Sequence, residues 1–330
     1  MPLSFMIKLQ ILWAIYEIQK IYFPILAAVG VPVNVITITI LARGNCGLSK
    51  CVTYYLVAMA TADLMVVIID LILRQIPIVY WEQFSLFRII PLCNIHAVLL
   101  YAATDSSVWF TVTFTFDRFV AISCQKLKSK YCTEKTAAMV IGIVTVLSFL
   151  KNIFWYFLYT NEYWLSNSSW FCRVALTVSH SLVWAIVELI HYILTPFIPF
   201  ILILLLNALT VRHILMASRA RKRLQNRSNG ESQSDPEMGS RRKSMILLFV
   251  ISGNFILLWV VFMVCSILRR LDYLEYSVSL PTFVREIGLM LQLLSCCTNT
   301  FIYTLTQRRF REELRSGVNY SLSLMVKLCR

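Results

Sequence analysis

Charged side chains are few in this sequence, 15% of 330 residues, and acids are the scarcer sort: 17 Asp and Glu against 31 Lys and Arg. A soluble domain carries about a quarter charged residues. A chain 58% hydrophobic, with mean hydropathy +0.69, has too much apolar surface for water and needs another solvent. Short alternating strands are missing, which excludes a transmembrane β-barrel. Internal repeats and low-complexity tracts are missing too. The four histidines, His96, His180, His191 and His213, are scattered, and no His/Cys grouping has metal-ligand spacing. Neither a metal centre nor a nucleophile–base constellation can be read, so an enzyme is not expected.

What is present is a series of long apolar runs. A bilayer core of about 30 Å needs about 20 helical residues, and seven stretches meet that length, near 21–42, 52–73, 89–116, 136–159, 186–211, 245–268 and 283–306. The expected fold is an all-α membrane protein, a seven-helix bundle. Residues 1–20 form an extracellular N-terminus, 21–306 the bundle and 307–330 a tail. Cations fix the orientation. Lys126, Lys128, Lys130 and Lys135, a basic loop over 212–243, and Arg308, Arg309, Arg311 and Arg315 collect on one side. The positive-inside rule makes that side cytoplasmic and places the N-terminus outside. The net charge of +14 is therefore a topology signal with attraction to the lipid bilayer, not a mark of nucleic-acid binding. No small-x-small cleavage site follows the short run Ile11–Tyr16, so the first span reads as an uncleaved anchor. Within the basic loop, the polar stretch 228–236 reads as an unstructured linker. Beyond span seven, Phe310, Leu314 and Val318 recur every four residues among arginines, the pattern of a short amphipathic eighth helix on the inner leaflet.

On the outer side, Asn167-Ser168-Ser169 is a glycosylation sequon. Cys93 at the outer start of span three and Cys172 in the loop beside the sequon face an oxidising compartment, where a disulfide between them is expected. It would close a long segment, for about 3–5 kcal/mol.

Ionisable groups inside lipid are expensive and point to function. Asn34, Asp63, Asn299 and Tyr303, on three helices, lie at compatible depths and can satisfy one another, directly, through water or through a small cation. A purely structural network is the alternative. Asp117-Arg118-Phe119 ends span three on the inner side, where Asp117 can hold the guanidinium until another partner draws it away. Leu100 and Ser107 share a face with Arg118, whereas Asp105 points nearly opposite, toward neighbouring helices.

Taken together, Asn34, Asp63, Cys93, Asp117-Arg118-Phe119, Cys172, Trp259 and Asn299 with Tyr303 resemble the rhodopsin-like (class A) G protein-coupled receptors over nearly the whole chain. Several details depart from that pattern. Phe119 stands for the usual Tyr, Thr300 for the Pro of N-P-x-x-Y, span four lacks its Trp, and no proline follows Trp259. Trp109 and the proline-free Asn299–Tyr303 motif look like the orphan receptors grouped with those answering tryptophan and phenylalanine.

The resemblance implies a plasma-membrane receptor that passes binding of an extracellular small ligand to a heterotrimeric G protein, with arrestin and receptor kinase as further partners. Asp117, Arg118, Phe119, Asn299 and Tyr303 would serve coupling and activation. Leu100, Trp259, Gln292, Glu188 and Glu286 would line the ligand pocket. A sodium ion at Asp63, within a core polar network of Asn34, Ser107, Ser295 and Asn299, would be the one allosteric ion, and no other cofactor is expected. Leu100 occupies the position of the aspartate of amine receptors, and span seven holds no lysine for retinal, with Gln292 at that position. Amines and retinal are therefore not expected, and an amino acid or short peptide fits the mixed charges of the outer half. Arg241 falls where many members place an acid that locks the span-three arginine, so appreciable basal signalling is expected. The rivals are a receptor-like protein that does not couple to G protein and, more remotely, a transporter or channel.

Overall fold

The computed structural model describes residues 3–44, 46–80, 90–157, 181–225, 236–273 and 280–328. Among them, seven helical stretches are long and apolar enough to cross a membrane. The first span is one helix, Leu3–Ala42; the second is Lys50–Val66, continued through a π-helical segment, Val67–Gln75, into Ile76–Tyr80. Span three is Ile90–Ser123, and span four is Glu134–Asn152 with a 3-10 extension, Ile153–Phe157. Span five is Leu182–Tyr192 and Ile198–Gln225, separated by an irregular turn at Ile193–Phe197 in which Thr195 is extended. Spans six and seven are Pro236–Tyr273 and Thr282–Thr306. A short helix, Gln125–Tyr131, follows span three, and an eighth, Arg308–Leu328, follows span seven.

Local chemistry sets several ends. Ser49 and Thr133 accept hydrogen bonds from the amides of Val52 and Thr136, satisfying N–H groups that the helix leaves open. Span six runs as one α-helix through Gly253, without the break that proline imposes in most members of the resembling family. The first span departs most from the expected 21–42. Its helix starts at Leu3 because no Pro or Gly punctuates residues 3–20 and Tyr16 and Tyr80 tie it to the top of span two. Tyr16 donates to the carbonyl of Ile78, and Tyr80 to that of Lys20. The eighth helix also exceeds its four-residue pattern, reaching Leu328.

Between membrane helices there is no water to expel, so packing and interhelical hydrogen bonds hold the bundle. The inner half centres on Tyr55, Leu56, Phe114, Leu247, Tyr303 and Phe310. The outer half has two separate centres, one around Phe23, Val67 and Leu293, the other around Trp155 with Tyr101, Phe154 and Trp184. Trp259, Phe255, Val108 and Ile203 form a fourth cluster across spans three, five and six. Spans six and seven touch most extensively. They do so at Gly288, where a β-carbon would lie 2.9 Å from the Phe262 backbone.

Candidate functional site

The buried polar residues divide into three groups stacked from the outer to the inner face. The middle one is at Asp63, fully inside the bundle on span two. Ser107 of span three donates to Asp63 Oδ1 at 2.5 Å, and Asn299 of span seven donates to Oδ2 at 2.6 Å. Asn34 and Ser295 stand beside this trio without bonding the carboxylate. Asn34 donates to the carbonyls of Gly30 and Cys296, stitching span one to span seven. Ser295 donates to the Gln292 carbonyl at 2.6 Å and accepts from Trp259 Nε1 at 2.9 Å. Trp259 is thus fastened to span seven one helical turn above Asn299, with its ring stacked on Phe255 and edge-on to Phe262.

The inner group is built on Asp117 and Arg118, both buried. The guanidinium pairs with Asp117 through Nε and Nη2, and Nη1 donates to Ser244 Oγ of span six at 3.2 Å. The side chain of Arg241 lies outside the described residues; the contact that reaches span six is an uncharged hydroxyl. Two thiols close over the aspartate: Cys51 donates to Oδ1 at 3.2 Å and Cys132 to the Asp117 carbonyl at 3.7 Å. Burial, and then the charge of Asp117, push the Cys132 thiol up to about 12. Phe119 is half-buried on the same helix end. Tyr303 is fully buried against Phe310, ring centroids 5.9 Å apart, and its hydroxyl has no partner among the described residues.

The outer group holds the expected pocket residues. Leu100, Trp259 and Gln292 are buried. Glu188 and Glu286 are each already engaged: Glu188 with Arg270 at 2.5 Å, and Glu286 with Arg285 at 2.5 Å and with Gln19 of span one at 3.2 Å. Asp70 is engaged likewise, with Arg74 at 3.2 Å and Gln75 at 2.8 Å. Cys93 is buried and disulfide-bonded. Cys172 and Asn167 lie outside the described residues.

For one cluster the sequence indicated the direction of Asp105, toward neighbouring helices, but not its partners. Asp105 meets Lys151 at 2.7 Å and Asn152 at 2.5 Å on span four. Lys151 also donates to Thr195 Oγ1 at 3.0 Å, and Trp109 donates to the same oxygen at 3.1 Å. Thr195 is the extended residue at the break in span five, so spans three and four jointly hold that break. Part of the signal was in the sequence: a lysine near the end of an apolar run needs a partner, and Asp105 points toward neighbouring helices.

The stacked polar groups form an axis through the seven helices, from the ion pairs of Glu188 and Glu286 to the inner Arg118, an arrangement of the membrane-receptor class. Residues 33–303 match the family model "7 transmembrane receptor (rhodopsin family)", and the chain belongs to that family. It is similar to the human 5-hydroxytryptamine receptor 4, with 27% identity over 78% of this chain and 68% of the relative. It is also similar to the mouse probable G-protein coupled receptor 142, with 25% identity over 91% of this chain and 73% of the relative. A third relative is the atypical chemokine receptor 3 of Canis lupus familiaris, with 23% identity over 84% of this chain and 72% of the relative.

Proposed function

We propose that this receptor sits in the plasma membrane, with residues 1–20 outside, and converts binding of a small extracellular ligand into activation of a heterotrimeric G protein. The observation that carries the reading is Arg118, held on the inner face by Asp117 of its own helix and Ser244 of span six. A side chain held by one neighbour and one hydroxyl of a mobile partner can be released by moving that partner, and an exposed guanidinium then meets a G protein helix. Ligand contact around Trp259 would strain its bond to Ser295, and through span seven the Asn299–Asp63 pair. Tyr303 supports a second state, because a buried hydroxyl without a partner costs about 1–3 kcal/mol. A rearrangement that supplies a partner gains that back.

Oxygens of Asp63, Ser107 and Asn299 are hard donors of the kind an alkali or alkaline-earth cation accepts. A sodium ion there would favour the resting state. An amino acid or short peptide remains the proposed ligand class. An amine such as that in the name of the human relative is disfavoured, since Leu100 offers no carboxylate on the pocket face.

The test is a calcium and cyclic-AMP assay in cells expressing the chain, with aromatic L-amino acids and short peptides, and Arg118→Ala as control. A ligand-dependent response lost in Arg118→Ala is the expected result. A second reading, a receptor that binds without coupling, draws on Phe119, Thr300 and the similarity to a receptor named atypical. Arrestin recruitment with no G protein signal at normal surface density would select it over the first.

A further inference from the structure

Spans three, four and five each place one residue at two levels of the outer half, one helical turn apart. The outer level is aromatic. Tyr101 of span three stacks on Trp155 of span four at 4.0 Å, and His191 of span five stands edge-on to both at 5.1 Å. The inner level is polar: Asp105 of span three pairs with Lys151 of span four at 2.7 Å, and Lys151 donates to Thr195 Oγ1 of span five at 3.0 Å. Tyr101 and Asp105, Lys151 and Trp155, His191 and Thr195 are each four residues apart, the spacing that sets side chains one above the other. Asn152 joins the levels, accepting from Trp155 Nε1 at 2.9 Å and donating to Asp105 Oδ2 at 2.5 Å. Asp105, Asn152, Trp155, His191 and Thr195 are all buried.

The inner level grips span five where its helix is interrupted. Thr195 is extended, φ −150° and ψ 113°, between the helical stretches Leu182–Tyr192 and Ile198–Gln225, and Pro196 after it brings no N–H. Irregular backbone at membrane depth persists only where protein surrounds it. The direction of everything outward of the break depends on the torsions of a few residues. Its reference points lie on other helices: the Thr195 hydroxyl accepts from Lys151 of span four and from Trp109 of span three. Outward of the break, span five reaches span six through Glu188, which pairs with Arg270 at 2.5 Å.

We propose that Lys151 is a positioning residue. With Asp105 as its counter-charge, it sets the angle of the outer half of span five and so presents Glu188 to Arg270, coupling span four to span six through the segment between them. Glu188 stands seven residues from Thr195, about 10 Å along a helix, so a turn of about 10° at the break would carry its carboxylate about 2 Å. That is enough to part an ion pair. A buried ion pair is a weak source of stability compared with apolar groups of the same size; here its use is direction. The coupling goes beyond the receptor reading and holds whether or not the chain activates a G protein.

The experiment is hydrogen–deuterium exchange with mass spectrometry on the purified full-length protein in detergent, following residues 182–197 and 264–271 against spans one and seven. In Lys151→Met, both segments are expected to exchange about tenfold faster or more, the mark of local opening. Lys151→Arg, which keeps the cation, is expected to stay near the wild type. Asp105→Leu with Lys151→Met removes the stranded charge, so its unfolding temperature recovers while 182–197 and 264–271 still exchange fast. That outcome separates direction from stability. Glu188→Gln is expected to speed 264–271 by itself and to add nothing there when combined with the Asp105→Leu, Lys151→Met pair. Gly288→Ala, which disturbs the contact of spans six and seven, is expected to leave 182–197 unchanged. Wild-type exchange of 182–197 in the double variant, faster exchange spread evenly over all spans, or independent effects of Glu188→Gln and the double variant on 264–271 each overturns the proposal.

Discussion

At the scale of single residues, the most demanding feature is the Asp105–Lys151 pair. A carboxylate 1% exposed by side chain and a lysine meet at 2.7 Å inside the bundle; Asn152 donates to the same Oδ2, Lys151 donates also to Thr195, and Asp105 Oδ1 has no partner among the described residues. Removing one partner leaves the other charge buried and alone, a loss of about 3–5 kcal/mol, whereas replacing both with apolar groups of similar size is often nearly neutral. Lys151→Met is therefore expected to lower the unfolding temperature of the solubilised receptor sharply. Asp105→Leu combined with Lys151→Met is expected to recover most of it. If the double variant is as unstable as the single, the pair is not an isolated charge problem and Thr195 is the residue that matters. The sequence placed Asp105 on the correct side of span three, yet its partners sit on another helix at a depth no periodicity reports.

Helices meet at surfaces that the sequence only hints at. Gly288 looks ordinary in an apolar run, but a β-carbon there would lie 2.9 Å from the Phe262 amide nitrogen and Cα. Backbone cannot step aside as a flexible side chain can. Gly142 on span four has nothing within 4 Å of the same position. Gly288→Ala is expected to cost about 1–3 kcal/mol through overpacking, and Gly142→Ala to be neutral or slightly stabilising because alanine is the better helix former. Comparing their unfolding temperatures checks this directly, and equal values would mean that spans six and seven separate freely. The connection into the eighth helix has a similar constraint. Gly47 adopts φ +67°, and a β-carbon there would meet the Arg309 side chain at 2.7 Å. That contact ties the first inner loop to the eighth helix, whose Arg311 donates to the carbonyls of Thr304 and Leu305 at the end of span seven.

Across the whole molecule, the proposed balance between resting and active bundles falls on the contact between spans three and six. Arg118 reaches span six only through the Ser244 hydroxyl among the described residues, and a hydrogen bond to a charged group contributes about 1.5–3 kcal/mol. An ion pair in that place would hold more firmly. Ser244→Ala is expected to raise ligand-independent signalling several-fold at equal surface density, and Ser244→Glu to suppress it. Should both variants signal like the wild type, the hydroxyl is no latch and the basal level is set elsewhere. The expectation of appreciable basal signalling, drawn from Arg241, is tested by the same two variants.

Spacing and composition alone determined the seven apolar spans, an expected orientation across the membrane, and which buried polar residues are too costly to be accidental. Those follow from solvent: apolar length, cation placement and the expense of a carboxylate in lipid are properties of the chain before it folds. Tertiary structure alone decided the pairings. It set Asn34 on the Cys296 carbonyl and not on Asp63, gave Ser295 to Trp259, and engaged Glu188 with Arg270 and Glu286 with Arg285. Such choices depend on helix rotation and depth, where a shift of one residue turns a side chain by about 100°, and only the packed bundle fixes those.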